Sequence, residues 1–480
     1  MARIALIKPP ATYADWFARP VLGLSTISAV LSESGFENQI FDALFWGWSE
    51  EELVRRVAAY DPDLIGVTAM THEITRAAHI VASLKEELGD RPAVVGGPHI
   101  TALPERTLAE FPIFDYGVYG EGERTTVELV KYLFGGESAP DLRAIEGIVF
   151  RNGDQIVVNE PRPFLTAQEL DELPYPAFDQ YYGDDRNALA GSESYYVMYT
   201  ARGCPYRCSF CMQVLGRKVR GMSPERIVRE IEYAISRYGA HTVDFADEIF
   251  LFDSPRTRTT LQMMIDRGLS NQIRWSGLTR ANMVSRELIA LAKRAGCFDL
   301  EMGVESGDDE ILRRIHKQIT VEQVREAAQI IKDHDITLGA CFILGHPHET
   351  HQTVRKTIDL AVELNTDTIA VGLMVPYPGT EIYEMAKQGH GGYRLLSEDW
   401  SKYDKYGGKS LELEAVSYEE LVRYQRRAYI QLYLKNFRVF DMVDYIWRRR
   451  RSLWYFLARK VRAALDGGPK EEHVSGRLAR

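Results

Sequence analysis

Three cysteines close together in the chain carry its most informative chemistry. They are Cys204, Cys208 and Cys211 in the stretch Thr-Ala-Arg-Gly-Cys-Pro-Tyr-Arg-Cys-Ser-Phe-Cys. Three thiolates at CxxxCxxC spacing can bind iron and sulfide from one loop, while the gaps are too short for unstrained disulfides between neighbours. A tetrahedral zinc site would need a fourth ligand, and the flanking sequence offers no further Cys or His. The spacing favours a cubane cluster with one open iron.

The alternative is a chance grouping of three buried structural cysteines. A Gly-Cys-Pro loop after an apolar strand is a poor place to bury thiols, so the cluster interpretation is preferred. Two further cysteines, Cys297 and Cys341, fall in predicted strands without CxxC spacing. We interpret them as small buried residues and expect no second cluster.

The cysteine motif, with the aromatic Phe210 directly before its last cysteine, resembles the signature of the radical S-adenosylmethionine superfamily. The resemblance implies that Cys204, Cys208 and Cys211 hold a 4Fe-4S cluster whose open iron binds the amino and carboxylate groups of S-adenosylmethionine. It also implies an external electron donor of the flavodoxin or ferredoxin type. One electron from the cluster would then cleave S-adenosylmethionine to methionine and a 5′-deoxyadenosyl radical.

Six strand–helix units from residue 195 onwards must position this loop. The predicted strands are 195–200, 242–246, 273–277, 299–304, 337–344 and 368–375. Helix caps are recognisable at Ser223-Pro-Glu225 and Ser285-Arg-Glu287. Six β/α units predict a partial (β/α)6 barrel, the core expected of the superfamily, with its chemistry at the carboxyl ends of the strands.

Polar residues at those strand ends match the superfamily's binding segments, and the resemblance implies their roles. They are Asp247 and Glu248 near the amino group of S-adenosylmethionine, Arg280 near its carboxylate, Glu305 and Ser306 near the ribose, and 376–380 near the adenine. Each carboxylate has a competing interpretation as a salt-bridge partner at the barrel mouth. His346 and His348, after strand five, are candidate catalytic residues for substrate contact or proton transfer; a surface-loop role is the alternative.

The first 136 residues alternate five strands with helices. The strands are 4–7, 39–41, 64–69, 93–96 and 116–119, and the helices are 21–34, 50–60, 73–88, 104–110 and 123–134. This alternation predicts a doubly wound, flavodoxin-like parallel sheet, whose ligands bind at the carboxyl ends of its strands.

Small and polar residues at these carboxyl ends would let a bulky flat ligand approach the backbone. They are Pro10, Thr68, Thr71, Gly96, Gly97, His99, Gly120, Glu121 and Gly122. Their order, ahead of the cysteine motif, resembles the cobalamin-binding domain of cobalamin-dependent radical S-adenosylmethionine enzymes. No Asp-x-His-x-x-Gly pattern occurs, so we expect no protein histidine on the lower face of cobalt. For His72 and His99, local hydrogen bonding is the alternative to a cofactor contact.

The predicted organisation has four parts. They are a cobalamin-binding domain at 1–136, a hairpin and linker at 137–190, the radical S-adenosylmethionine barrel at 191–410 and a helical region at 411–480. The hairpin would join 148–150 to 156–158 through an Asn-Gly turn. Four prolines between 161 and 176 indicate an extended linker.

Composition is that of a soluble globular protein, with 45% hydrophobic and 26% charged residues among 480. No signal peptide and no apolar run of about 20 residues is seen, so we expect a cytoplasmic protein without a transmembrane segment. Residues 447–480 carry a net charge of +7, which leaves −17 for the rest. An acidic body argues against nucleic acid as its substrate.

The basic and aromatic stretch from Trp447 to Lys460 has two interpretations. It could contact an anionic membrane surface, or it could pack its aromatics on the barrel with its arginines outward. We favour packing, and we expect 466–480 to be disordered.

These features together predict a cobalamin-dependent radical S-adenosylmethionine methyltransferase acting on an unactivated carbon of a small-molecule or natural-product intermediate. The nearest alternative is a cyclase, dehydratase or other rearranging oxidoreductase whose N-terminal domain binds cobalamin for another purpose or is degenerate. A non-catalytic corrinoid or iron–sulfur module is a third class, which the joint presence of cluster and barrel-mouth motifs disfavours.

Overall fold

Two separate β-sheets with helices on their faces organise the computed structural model, which describes residues 2–10, 19–136, 139–191, 195–405 and 407–448. The first sheet has seven strands in the order β2-β1-β3-β4-β5-β6-β7. Its strands are β1 (Arg3–Lys8), β2 (Glu37–Asp42), β3 (Leu64–Thr68), β4 (Ala93–Gly96), β5 (Tyr116–Val118), β6 (Ile148–Asn152) and β7 (Gln155–Val158). Strands β1 to β5 run parallel, which confirms the predicted doubly wound sheet.

Helices cover both faces of these parallel strands, which explains their nearly continuous apolar sequences. The helices are α1 (Leu22–Glu33), α2 (Ala43–Trp46), α3 (Glu50–Tyr60), α4 (Ile74–Leu88), α5 (Pro98–Ala102), α6 (Pro104–Glu110) and α7 (Gly122–Phe134). Ile4 and Ile7 of β1 are completely buried, as are Ile65 and Val95 in the neighbouring strands.

The hairpin β6–β7 differs from its prediction in two ways. It pairs antiparallel with β5, with Tyr116 opposite Phe150, and so extends the first sheet rather than belonging to a separate connector. Its turn is Gly153-Asp154, one residue later than Asn-Gly, because Asn152 pairs with Gln155. Gly153 has φ +62° and supplies the positive φ of the turn. The hairpin covers the edge of β5, which would otherwise expose unpaired backbone groups.

The linker after the hairpin contains α8 (Ala167–Glu172) and α9 (Asp179–Tyr182). The second sheet then has six parallel strands in the order β15-β14-β13-β12-β11-β8, which confirms the predicted partial barrel. These strands are β8 (Tyr196–Met198), β11 (Thr242–Phe245), β12 (Arg274–Thr279), β13 (Cys297–Glu305), β14 (Thr337–Leu344) and β15 (Thr368–Leu373). A two-stranded ribbon of β9 (Ala201–Arg202) and β10 (Arg220–Gly221) follows β8.

Helices surround the barrel strands. They are α10 (Pro224–Tyr238), α11 (Pro255–Asp266), α12 (Arg286–Arg294), α13 (Asp309–Arg314), α14 (Val321–Lys332), α15 (His351–Leu364) and α16 (Glu381–Gln388). The predicted caps are confirmed: the Ser223 side chain accepts a hydrogen bond from the Arg226 amide and Ser285 from the Leu288 amide.

The segment after the barrel forms a second ribbon and two helices. These are β16 (Tyr393–Leu395), β17 (Leu411–Leu413), α17 (Tyr418–Lys435) and α18 (Val439–Arg448). Helix α17 covers the edge of β15, where Gln425 donates to the Val371 carbonyl at 2.7 Å and the Val371 amide donates to the Tyr429 hydroxyl at 3.1 Å.

Trp447, in the last turn of α18, is 64% exposed. The rest of the basic and aromatic stretch, from 449 onwards, lies outside the described residues, as does the expected disorder of 466–480. Across the described ranges, no helix combines the length and apolar character that a membrane span requires.

Candidate functional site

The cysteine loop is closed by the ribbon β9–β10, in which Arg202 pairs with Arg220. Gly203 opens the loop with φ +93°, and a Cβ there would lie 2.4 Å from the Lys218 carbonyl oxygen. Only glycine allows the two ends of the loop to approach this closely. The ribbon therefore holds the intervening residues, with all three cysteines, in one loop.

The three cysteine thiols interact electrostatically, which shows that they lie near one another. Desolvation by the surrounding protein, together with the neighbouring Cys208 and Cys204 sulfurs, raises the pKa of the Cys211 thiol to about 12. Burial also raises the pKa of Cys204. In the described residues, no three His, Cys, Asp or Glu side chains converge on a single metal ion. A cubane cluster does not need such convergence, because each thiolate binds a different iron. The donor set fits a 4Fe-4S cluster.

Asp247 is buried after β11 and binds the segment that precedes the cysteine loop. Its Oδ1 accepts hydrogen bonds from the Thr200 amide at 2.6 Å and the Ala201 amide at 3.1 Å, and its Oδ2 accepts from the Thr200 hydroxyl. Burial raises its pKa to about 6 against these hydrogen bonds. Through these hydrogen bonds, Asp247 positions the segment that leads into the cysteine loop.

Glu248 and Arg280 both lie beside Cys204, since each affects the pKa of its thiol. Burial raises the pKa of Glu248, and the Gly203 backbone amide opposes that shift. The Arg280 guanidinium stacks 3.6 Å above the Tyr206 ring and binds Asn282 Oδ1 through Nε at 3.1 Å. Its buried Nη2 has no hydrogen-bond partner in the described structure, so it is free to bind a ligand carboxylate.

Glu305 forms a buried ion pair with Lys317, whose Nζ lies 2.6 Å from Oε1. Glu305 adopts φ +70°, and His316 and Gln318 on either side of Lys317 both adopt φ +55°. Non-glycine residues rarely take this conformation, and strained residues cluster at functional sites. Lys317 was missed by sequence reasoning because no local pattern pairs it with a glutamate twelve residues earlier.

Ser306 lies in the loop after β13. It is completely buried, and its hydroxyl accepts a hydrogen bond from the Asp308 amide at 3.2 Å and lies 3.3 Å from Thr357 Oγ1. These contacts shape the loop after β13.

The two candidate catalytic histidines differ in burial. His346 is completely buried, its Nε2 lies 3.4 Å from the Glu305 carbonyl oxygen, and its ring centre lies 5.9 Å from that of Phe210. Burial lowers its pKa to about 4, which keeps the imidazole neutral. His348 is exposed at φ +62°, on a loop where its amide binds the Gly391 carbonyl. An exposed loop position matches the surface alternative for His348.

Glu349, beside these histidines, was missed by sequence reasoning. It is buried and accepts hydrogen bonds from the Gly345 amide at 2.6 Å and the His346 amide at 3.1 Å. Burial raises its pKa to about 8 despite these bonds. It organises the turn that carries His346.

A cavity of about 210 Å³ opens at the carboxyl ends of the first sheet, where a cobalamin site is expected. Its walls are apolar side chains, six glycines, three threonines and the two glutamates Glu121 and Glu123, and three residues of the barrel domain complete it. The glycines are Gly23, Gly66, Gly96, Gly97, Gly120 and Gly122, and the barrel residues are Tyr199, Arg202 and Leu215. A flat apolar group fits this shape, which suits part of a corrinoid.

At position 97, glycine is required by contacts within the protein rather than by a ligand. It has φ +100°, and a Cβ there would lie 2.7 Å from Thr68 Oγ1 and 2.9 Å from the Ala69 carbonyl oxygen. Gly23 and Gly120 differ, because a Cβ at either position meets no atom within 4 Å. Side chains at these two positions would instead take up space available to a ligand.

The expected cofactor residues divide into two groups. Thr68, Gly96, Gly97, Gly120, Glu121 and Gly122 line the cavity. Pro10, Thr71 and His99 do not. The Pro10 carbonyl accepts a hydrogen bond from Arg76, and His99 packs edge-on against Trp400 with ring centres 5.0 Å apart. Burial lowers the pKa of His99 to about 4.

Comparison with known proteins agrees with this architecture. The model of the radical SAM superfamily matches residues 198–361, and that of the B12 binding domain matches 18–130. A relative from Pyrococcus horikoshii, named as an uncharacterized methyltransferase, is 31% identical and covers 90% of this chain and 93% of its own. The anaerobic magnesium-protoporphyrin IX monomethyl ester cyclase of Cereibacter sphaeroides is 28% identical over 90% of this chain and 70% of its own.

Two solved structures share the fold. The radical S-adenosylmethionine methyltransferase TsrM from Kitasatospora setae superposes with a TM-score of 0.69 at 20% identity, covering 90% of this chain and 89% of its own. The cobalamin-dependent radical enzyme OxsB gives a TM-score of 0.71 at 18% identity, covering 96% of this chain and 71% of its own. The cysteine loop, the barrel, the glycine-lined cavity and these relatives together establish that the chain belongs to the cobalamin-binding radical S-adenosylmethionine enzymes, which use a 4Fe-4S cluster, S-adenosylmethionine and cobalamin.

Proposed function

We propose that the protein transfers a methyl group to an unactivated carbon of a small-molecule or natural-product intermediate. The observation that carries the proposal is the position of the corrinoid cavity. It shares Arg202 with the ribbon that closes the cysteine loop, and Tyr199 and Leu215 belong to the same region. A methyl donor and a radical source must lie close together to act on one carbon.

The bound cofactors would supply both a hydrogen-abstracting radical and the methyl group, while the protein contributes positioning and electrostatics. We propose that Cys204, Cys208 and Cys211 hold the cluster. Arg280, with its open Nη2, would bind the methionine carboxylate, and the Glu305–Lys317 pair would face the ribose. His346 remains neutral and so is suited to donating or accepting a hydrogen bond near the substrate.

A second candidate is a radical cyclase. Its support is the 28% identity to the Cereibacter sphaeroides cyclase over 90% of this chain. A cyclase would use the same cluster and S-adenosylmethionine contacts but leave no methyl group in its product.

Product stoichiometry with methyl-labelled S-adenosylmethionine separates the two candidates. A methyltransferase is expected to form one 5′-deoxyadenosine and one S-adenosylhomocysteine for each labelled product. The control is Cys208→Ala, which should form neither. Formation of 5′-deoxyadenosine without S-adenosylhomocysteine or labelled product, using the true substrate, would favour the cyclase.

We further propose that electrons enter from outside the barrel beside the cluster. Cys208 and Cys211 line a shallow depression of about 280 Å³ that also includes Arg207, Arg217 and His316. The Arg207 and Arg217 guanidinium groups would attract an acidic flavodoxin or ferredoxin. A cytoplasmic location suits an oxygen-sensitive cluster. For the basic stretch from Trp447 to Lys460, we propose packing on the barrel, with contact to an anionic membrane surface as the alternative.

A further inference from the structure

Four buried charged side chains connect the corrinoid cavity to the cysteine loop. Arg202 binds Glu121 through Nη1 at 2.9 Å and Glu123 through Nη2 at 2.7 Å. Arg220 binds Glu121 through Nη1 at 2.8 Å. None of the four side chains is more than 8% exposed. The charges balance, and each arginine contacts a glutamate of the other domain.

The positions of these residues give the network its significance. Arg202 and Arg220 are opposite one another in the ribbon β9–β10. Arg202 precedes the cysteine loop and Arg220 follows it, so the two arginines lie at the two ends of that loop. Glu121 and Glu123 flank Gly122 at the start of α7, and both line the cavity. The network therefore joins one wall of the corrinoid cavity to both ends of the loop that holds the cluster cysteines.

Additional contacts tie the linker into the same network. Arg220 donates to the Leu165 carbonyl at 2.8 Å and to the Leu215 carbonyl at 2.7 Å, and it stacks 4.7 Å above the Phe164 ring. Glu121 Oε2 accepts the Leu165 amide at 2.7 Å. Such close packing transmits displacement, because any shift of α7 that keeps these bonds must also move the ribbon.

Buried ion pairs are costly to break on one side, since a lone charge would remain away from water. The start of α7 and the ribbon should therefore keep their relative position as long as the ion pairs are intact, and both should become disordered if the pairs break. We propose that the Glu121/Glu123–Arg202/Arg220 network couples corrinoid occupancy of the cavity to the order of the cysteine loop, so that each cofactor favours binding of the other. The coupling is reciprocal by thermodynamic linkage. It rests on corrinoid binding and does not depend on methyl transfer.

The test compares the affinity of hydroxocobalamin for the protein with and without its reconstituted cluster, under anaerobic conditions. We expect affinity about tenfold higher with the cluster, within the usual range of coupling between sites. Loss of cluster iron to a chelator should slow by a similar factor when cobalamin is bound. Equal affinities in the two forms would overturn the proposal. No turnover is measured, so a failure of the methyltransferase assignment would leave this result unchanged.

Two variants distinguish coupling from general destabilisation. Glu123→Gln removes the charge that meets Arg202 Nη2, and the ratio of the two affinities should fall close to one. The matched control is Glu230→Gln, which disrupts the equally buried Arg226–Glu230 pair at 2.6 Å within α10. Its ratio should remain about tenfold. A ratio retained in Glu123→Gln, or lost equally in Glu230→Gln, would overturn the proposal. If Glu123→Gln does not fold, Arg202→Lys replaces the two-pronged guanidinium with one point charge and carries the same expectation.

Discussion

Cys208 is the central cysteine of the cluster motif, and removing it should leave two thiolates for an assembly that needs three. We expect Cys208→Ala to bind no stable cluster, whereas the wild-type protein should contain about four iron and four sulfide per chain after anaerobic reconstitution. Iron and sulfide analysis provides the measurement. Cys297→Ala is the matched control, because Cys297 is buried in β13 and should not contribute. A normal cluster in Cys208→Ala would refute the assignment.

A substitution at Glu305 can show whether its buried carboxylate binds S-adenosylmethionine or only forms the ion pair with Lys317. Glu305→Gln should weaken S-adenosylmethionine binding by about 1–3 kcal/mol through loss of hydrogen bonding. It should also lower stability by about 3–5 kcal/mol, because Lys317 would be left buried without its counter-charge. Calorimetric titration and thermal unfolding measure the two effects separately.

Two further variants complete that test. The double variant Glu305→Gln/Lys317→Met should recover stability while its S-adenosylmethionine affinity stays low. Lys356→Met is the control. It breaks the ion pair between Lys356 and Asp308 at 2.7 Å, in which the lysine is half exposed. Its affinity for S-adenosylmethionine should not change. Reduced stability with unchanged affinity in Glu305→Gln would assign Glu305 a structural role alone.

At this scale, the sequence identified residues whose spacing is local. The cysteine motif is contained in one loop, so its spacing alone indicates a cluster. The contacts of Asp247 with Thr200 and of Ser306 with Thr357 were not predicted, because these threonines belong to distant segments. Sequence alone does not show which way a side chain turns at a strand end.

Helix α5 contacts the segment after the barrel through His99 and Trp400. Because His99 is buried at this contact, the stability of the protein should depend on pH. The folded protein keeps the pKa of His99 at about 4, below its ordinary value, so the unfolded chain binds this proton first as the pH falls. The stability associated with neutral His99 is therefore complete above about pH 6.5 and is lost toward pH 4. His99→Phe should remove this loss.

The measurement is the free energy of unfolding of wild type and His99→Phe at pH 7 and pH 5. Between pH 7 and pH 5, the wild-type protein should lose about 2 kcal/mol of unfolding free energy that His99→Phe keeps. This figure follows from the difference between the pKa of His99 in the unfolded chain and in the folded protein. The exposed His241 provides the control, and His241→Phe should show no such gain. Corrinoid binding should persist in His99→Phe because His99 does not line the cavity. Parallel pH profiles for wild type and His99→Phe would contradict the prediction.

Elements with strong periodicity were predicted well. The eleven parallel strands expected in the two sheets are close to their observed positions, except that β8 is shorter and β13 is longer than predicted. The hairpin β6–β7 was recognised, but its sheet was not, because pairing with β5 depends on contacts about thirty residues apart. Local patterns determine a strand, whereas its neighbours are determined by the whole fold.

At the scale of the whole molecule, the corrinoid cavity lies between two domains, and Gly23 offers a direct test of its occupant. Gly23→Phe should place a ring in the cavity, because Gly23 lines it and no atom outside its own helical turn lies within 4 Å of a Cβ there. The variant should fold normally but retain far less than the one corrinoid per chain expected of wild type. Absorbance of the purified protein after incubation with hydroxocobalamin gives the stoichiometry.

Gly23→Ala is the control, and its single methyl group should allow binding. Gly97 is a poorer position for this test, since its Cβ would collide with Thr68 and Ala69 and distort the loop even without a ligand. Full corrinoid retention by Gly23→Phe would place the cofactor elsewhere.

The order of the two domains along the chain was predicted from sequence, but the contacts between them were not. Glu121 and Arg202 are 81 residues apart and belong to different domains, so no motif links them. Glu121 was predicted to contact the cofactor; the structure shows that it also anchors the other domain. Contacts of this kind emerge only when the two sheets are placed together.

The pairing of β6 with β5 also determines where the protein can be divided. A fragment ending at residue 136 would remove β6 and β7 from the first sheet and uncover the edge of β5. It would also remove Ile148 and Val149, which are completely buried in the intact chain, and so uncover the core residues packed against them. Such a fragment presents an open strand and apolar surface to other copies of itself, and aggregation is the expected outcome. Any independently produced corrinoid-binding fragment must therefore continue at least through Val158.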